Sequence, residues 1–336
     1  MDEREVASMK KSVALALVLV CVLADLPALG QSALYTATAT VDFHLRAAPK
    51  ESARRLRLVP EDSKVMVLEA GEEWCEITVE HKTGYARTRW LAKFCALDPA
   101  HEIPGRLSQS GILTLKTPAR VAVPGYAGNQ LRPGHVVAVH QVQGDRALLH
   151  MHRDMAALPV QEAGFTPFVP WQEAQEGALL YAFTTYYNEE TGGRLAANRA
   201  FNIEKAAGLL ENLVVPRDGA FSFNQVCAPY LKSKGYQLAP IIGGNGKGYG
   251  GGVCQLSTTL YNAALGLPLR IDKWEVHRKR GVEYVPQYFD AAVGDYSDLA
   301  FTNLLPYPLR LSVLPQEGAL TVLFYREGGQ GRAQAK

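Results

Sequence analysis

The chain is short of several things that would announce a function. Its 35 Lys and Arg nearly balance 33 Asp and Glu, leaving a formal charge of +2. That balance supplies no basic footprint for nucleic acid and demands no strongly anionic ligand. The apolar run near the N-terminus, Val13–Leu23, is about 11 residues, well short of the roughly 20 that span a bilayer. Histidine is scarce, with eight in all. Those at 135, 140, 150 and 152 fall on alternating, strand-like positions without compact ligand spacing, so no metal is indicated. The glycine-rich "GNGKGYGGGVCQLS" fits neither GxxxxGK(S/T) nor a strand–GxGxxG–helix with an acidic residue about 20 positions on. Nucleotide binding is therefore not indicated, and no cofactor is implied.

What is present is a globular composition, 47% hydrophobic and 20% charged, rather than a disordered one. At 336 residues it suits two or three domains. "MKKSVALALVLVCVLADLPALGQSA" from Met9 has the basic, apolar and small-residue order of a secretory signal, predicted over residues 1–31. The mature protein is then exported, periplasmic or extracellular, with no membrane contact after cleavage. Of five cysteines, Cys21 lies in the signal, leaving Cys75, Cys95, Cys227 and Cys254 in an oxidising compartment. Two disulfides are one reading, with Cys75–Cys95 as one pair. Free thiols are the other, and whether Cys227 pairs with Cys254 matters most.

Residues 34–96 show short alternating runs punctuated by Pro49, Gly71 and Gly84, the texture of a small β-barrel. Residues 97–112 read as a polar linker. Residues 113–168 alternate again, with "PG" and "QGD" turns, and suggest a second small β domain. From Leu179 to about residue 326 the texture changes to α+β. Helical spacing in "RLAANRAFNIEKAAGLLENLVV" is followed by the strand-like "GVEYVPQ", "DLAFTNL", "LRLSVLP" and "ALTVLFYRE".

The chemistry concentrates in "GYGGGVCQLSTTLYNAALGLP". Leu256, Leu260, Ala263, Ala264 and Leu267 recur as a buried helical stripe, ended by Gly266 and Pro268. Cys254 therefore falls at the first turn, where unpaired N–H groups and the helix dipole favour a thiolate. The same N–H groups suit an oxyanion in acyl transfer, and Gly250, Gly251 and Gly252 allow close backbone approach. A cysteine nucleophile needs a base, and His277 is the one histidine of this region, 23 positions after Cys254. By spacing alone, a buried or disulfide-linked Cys254 without chemistry stays open.

The pattern "HLRAAP…GEEWCEI…TGYARTRWL" resembles bacterial SH3-type domains, which often bind cell-wall peptides. Residues 113–168 could be a degenerate SH3-like repeat. Residues of about 183–313 resemble the VanW domain, through "NRAFNIEKAAGLLENLVVPRDGAFSFN", "KGYQLAPII", "GYGGGVCQLSTTLYNAALGL", "VHRKRGVEYVPQYFDAAV" and "DLAFTN". Two departures stand out: "VPQYFDAAV" replaces the usual "VPxGxDATV", and Cys227 stands where relatives commonly carry glycine.

The resemblance implies an L,D-transpeptidase-like acyl transfer on peptidoglycan stem tetrapeptides through a Cys254 thioester, or an L,D-carboxypeptidase if water is the acceptor. His277 would be base and acid. Gln255 is a candidate for the oxyanion site, and Tyr284 and Asp290 are supports, one of them orienting the imidazole. Arg199 and Asn202 would organise the site or bind a stem carboxylate, a structural helix-to-strand contact being the alternative, and Gly251 and Gly252 would admit the substrate to the backbone. The alternatives are a Cys–His amidase or endopeptidase that cuts stems, and a wall-binding protein without turnover.

Overall fold

A computed structural model describes residues 35–328 apart from 80–81, 97–105, 125, 161–162, 188–192, 243–245, 278–281 and 287–288. The signal segment and Cys21 lie outside the described residues. In the first unit, period-two alternation puts every second side chain inside, as in the buried–intermediate pattern of Tyr35–Ala39. Its strands are β1 (Tyr35–Ala39), β2 (Phe43–Arg46), β3 (Arg55–Val59), β4 (Lys64–Ala70), β5 (Trp74–Val79), β6 (Lys82–Arg87) and β7 (Leu91–Ala96). They form one sheet in the order β3-β2-β6-β5-β4-β1-β7, an SH3-like all-β unit. Leu45, Val59, Val67, Cys75, Ile77 and Ala86 fill its core. Cys75 is a free thiol 3.4 Å from Thr88 Oγ1, so the suggested pairing with Cys95 is not made.

The second unit comprises β8 (Gly111–Leu115), β9 (Ala119–Val123), β10 (Tyr126–Leu131), β11 (Val136–Val139), β12 (Gln141–Gln143), β13 (Arg146–Met151), β14 (Asp154–Pro159) and β15 (Ala163–Pro167). They make three small antiparallel sheets, β10-β9, β11-β8-β15 and β12-β13-β14, around a common core. Gly111 already opens β8, so the compositional linker ends earlier than its polarity suggests. The residues just before it are anchored: Arg106 and the Gln109 amide both donate to the Tyr181 hydroxyl.

The third unit holds β16 (Leu179–Tyr186), α1 (Gly193–Leu210), β17 (Val214–Val215), β18 (Ala220–Ser222), α2 (Phe223–Cys227), β19 (Leu238–Pro240) and β20 (Lys247–Tyr249). It continues through α3 (Val253–Ala264), β21 (Leu269–Lys273), β22 (Ala300–Asn303), β23 (Leu309–Gln316) and β24 (Ala319–Arg326). Its main sheet runs β16-β24-β23-β17, flanked by a β18-β22-β21 sheet and a β19-β20 ribbon. "GVEYVPQ" does not form the strand its alternation suggests; Glu283–Val285 are bends.

All eight residues of β16 are buried. One face carries Leu180, Tyr181 and Phe183 into the core shared with α1 and α3. The other packs Leu179 and Ala182, with Leu323 of β24, against Ile112 and Ala138 of the second unit. Polar groups at that seam are paired: the Ala138 amide donates to Thr184 Oγ1 at 2.8 Å, and Thr321 donates to the Val136 carbonyl at 2.7 Å. The second unit is thus docked on the back of the third unit's sheet and shares buried side chains with it. Two residues past the end of α3, any side chain at Gly266 would run into the Tyr181 ring.

Candidate active site

The glycine run is demanded by what presses on it. Gly252, at the N-cap of α3, has φ +105°, and a Cβ there would lie 2.7 Å from Arg199 Cγ. A side chain on Gly251 would collide with the Ala239 and Pro240 backbone of β19. Asn202, fully buried on α1, clamps the loop from beneath. Its Nδ2 donates to the Gly251 carbonyl at 3.0 Å and the Gln237 carbonyl at 2.9 Å, and its Oδ1 accepts from the Gln237 amide at 2.8 Å. Every hydrogen-bonding group of that amide is engaged by protein, so Asn202 holds the loop in place.

These constraints deliver Cys254 to the first turn of α3, half-buried, with its thiol donating to the Val293 carbonyl at 3.4 Å. The Val253 and Gln255 amides are taken up by the Gly250 and Gly252 carbonyls. The Cys254 amide belongs to the turn whose N–H groups have no intrahelical acceptor. Gln255 is buried. Its Oε1 accepts from Arg199 Nη2, and its Nε2 donates to Thr185 Oγ1 at 3.0 Å and the Tyr186 carbonyl at 3.1 Å. That side chain braces α3 against β16 and α1 and leaves no donor for an oxyanion, contrary to the role its position suggested.

His277 and Asp290 meet as the sequence reading allowed. Asp290 Oδ2 accepts from both the His277 backbone amide and Nδ1, each at 2.7 Å. The side chains are 7% and 1% exposed, so the pair is shielded from water. Burial pulls the imidazole toward its neutral form, but the Asp290 hydrogen bond and the neighbouring Cys254 outweigh it and raise the pKa to about 9. Cys254 is the other side chain acting on the ring, by hydrogen bond and by charge. Cysteine, histidine and aspartate thus stand in series, with Asp290 and not Tyr284 orienting the imidazole.

Tyr284 takes a different place. Its hydroxyl is buried against Thr258, whose Oγ1 also accepts from the Ala291 amide. Burial first, then the Cys254 charge, raises its pKa, so the phenol stays a neutral donor. Tyr284 and Arg199 line a cleft of about 320 Å³ with Cys254, Tyr230, the glycine run and Ile241. The lip is apolar, with Ile241, Ile242 and Tyr249 exposed.

Several supporting residues escaped the sequence reading. The face of α3 opposite its apolar stripe is buried too. Ser257 donates to the Ala291 carbonyl at 2.7 Å, Thr258 accepts from the Ala291 amide at 2.9 Å, and Asn262 donates to the Phe289 carbonyl at 2.7 Å. Trp274, stacked on Tyr261, donates to the Asp290 carbonyl. The string "STTLYN" therefore grips residues 289–291 and fixes Asp290. Asn224 similarly holds the Gly294 and Ser297 carbonyls, beside Val293. Only the polar residues inside an otherwise buried helix signalled this.

Cys227 and Cys254 are separate free thiols. Cys227 is buried, faces the Ala206 carbonyl at 3.9 Å, and has its pKa pushed up to about 12 by burial and then by the Asp298 charge. That makes it an inert core thiol. Among the described residues no group of three or more metal-ligating side chains occurs, and no helix is long and apolar enough to cross a membrane.

Residues 198–325 match the family model described as VanW like protein, and residues 41–92 match the one described as bacterial SH3 domain. A curated relative, the uncharacterized protein YoaR of Bacillus subtilis (strain 168), is 36% identical over 149 residues. The match covers 44% of this chain and 47% of the relative, so the chain spans about half of that relative's length.

Proposed function

Because the chain carries a VanW-like region behind a bacterial SH3 domain, both typical of cell-wall-associated proteins, we propose that it is a cysteine-dependent acyl-transfer enzyme acting on peptidoglycan stem peptides. The observation that carries this is the Cys254–His277–Asp290 series at the start of α3, opening on a glycine-floored cleft.

The proposed reaction is L,D-transpeptidase-like. Cys254, its proton passed to His277 Nε2, attacks the carbonyl of the L-linked third residue of a tetrapeptide stem. The tetrahedral oxyanion is met by the Cys254 amide and the Tyr284 hydroxyl. His277 returns the proton to the departing D-alanine amine, and the thioester remains. An amine of a second stem, deprotonated by His277, then attacks that thioester, forming an amide and releasing the thiol. Water as acceptor gives a carboxypeptidase. Asp290 holds Nδ1, fixing the tautomer that leaves Nε2 toward the thiol and stabilising the imidazolium. The SH3 domain, by holding the protein at the wall, raises the local substrate concentration.

The test is incubation of the protein with tetrapeptide muropeptides, alongside Cys254→Ala and His277→Ala, following products and intact enzyme by mass. D-alanine loss and a transient acyl-enzyme are expected for the parent alone. Full turnover by Cys254→Ala would refute the nucleophile, and stems cut elsewhere would identify an endopeptidase or amidase.

A further inference from the structure

The bend Glu283–Val285 carries Tyr284 but belongs to none of the sheets among the described residues. A tyrosine on such a bend needs outside support to hold its hydroxyl at one point, and that support comes from the second unit. The β13–β14 hairpin turns at His152 and Arg153, with His152 in the left-handed region at φ +56°. Arg153 Nη2 donates to the Val282 carbonyl at 2.9 Å, and its Nε donates to the Val285 carbonyl at 3.4 Å. The His152 ring hydrogen-bonds the Glu283 backbone between them. One hairpin tip thus holds the backbone on both sides of Tyr284, across more than a hundred residues of sequence. A guanidinium suits this task, since its rigid fork reaches two carbonyls at once.

We infer that the His152–Arg153 tip is a positioning device for the Tyr284 hydroxyl, which makes the second β unit part of the acyl-transfer apparatus. The inference rests on the reading of Tyr284 as an oxyanion donor. The shared core between β16, β24 and the second unit supplies the rigid base such a device needs. Arg153 itself is exposed, so its replacement removes the clamp without opening a cavity.

Two reagents separate positioning from general damage. Acylation of Cys254 by p-nitrophenyl acetate passes through an oxyanion, whereas alkylation by iodoacetamide does not. Tyr284→Phe should acylate about a hundredfold slower, the size seen when one oxyanion donor is lost, with alkylation unchanged. Arg153→Ala should acylate about tenfold slower, with alkylation again unchanged, because a displaced donor is weakened rather than removed. Arg153→Lys should recover part of that loss. The double variant should be no slower than Tyr284→Phe, since both changes act on one group. Parental acylation by Arg153→Ala, full additivity in the double variant, or an equal loss of alkylation each overturns the inference. Parental acylation by Tyr284→Phe overturns it together with the oxyanion reading. The muropeptide assay addresses the substrate and the ester assay the oxyanion site, so the two can fail separately.

Discussion

Replacing Asp290 with asparagine keeps the shape of the side chain and removes its charge, which makes it the sharpest probe of the site. In the parent, burial disfavours the imidazolium, yet the Asp290 hydrogen bond and Cys254 raise the His277 pKa from 6.5 to about 9. That rise corresponds to about 3 kcal/mol of preference for the charged ring. Because the folded value lies above the unfolded one, the stabilisation is complete below about pH 6.5 and is lost as pH rises through about 9. In Asp290→Asn, burial meets less opposition, so the imidazole should titrate at least two pH units lower, on the order of the rise it loses. Denaturant unfolding should show the variant weakened most at and below pH 6.5, by up to about 3 kcal/mol, with the gap narrowing toward pH 9. Carbon-edited NMR of the ring follows the titration directly, the signal being assigned by its disappearance in His277→Gln. An unchanged ring titration in the two proteins would refute this account of His277, as would a stability gap that widens between pH 6.5 and 9.

Three further outcomes concern the loop, α1 and the second thiol. Gly252→Ala should destabilise by about 1–3 kcal/mol, read as a lower denaturant midpoint, because it combines φ +105° with the Arg199 contact. Gly208→Ala, in the last turn of α1 with open space around it, should instead gain up to about 1 kcal/mol. Cys227→Ala should leave iodoacetamide labelling of Cys254 unchanged, since the two are separate thiols. A Cys227–Cys254 cross-linked peptide in a non-reducing digest of the parent would contradict this.

The legible parts of the site were those written locally. The glycine run and the Leu256–Leu260–Ala263 stripe set Cys254 at a helix start, and α3 does begin one residue earlier at Val253. His277 stood out as the one histidine of its region. The choice between Tyr284 and Asp290 was not legible, because it depends on how a non-repetitive return segment is pinned by Ser257, Thr258 and Asn262. Chemistry alone offered Gln255 to the oxyanion and left Asn202 between substrate and scaffold; the buried neighbours that take up their hydrogen bonds come from β16, α1 and the segment at Gln237. Arg153 was beyond reach of any local pattern, since its partners lie more than a hundred residues away. For the second unit, alternation revealed strands but not what they pack on. The clue was β16, whose apolar residues fail to alternate because both its faces are covered.

The place of β24 in the main sheet orders events in time. It lies between β16 and β23, with α3 packed across it, yet it is the last strand along the described chain. A nascent chain that has emerged only as far as the end of α3 can set its thiol against β16 and α1, but not yet on β24. Strand β16 must wait more than a hundred residues for its partner, a closure with a high entropic cost and a slow rate. Synthesis therefore runs ahead of chemistry: the nucleophile is made early, and its seat is finished by the distal end of the chain.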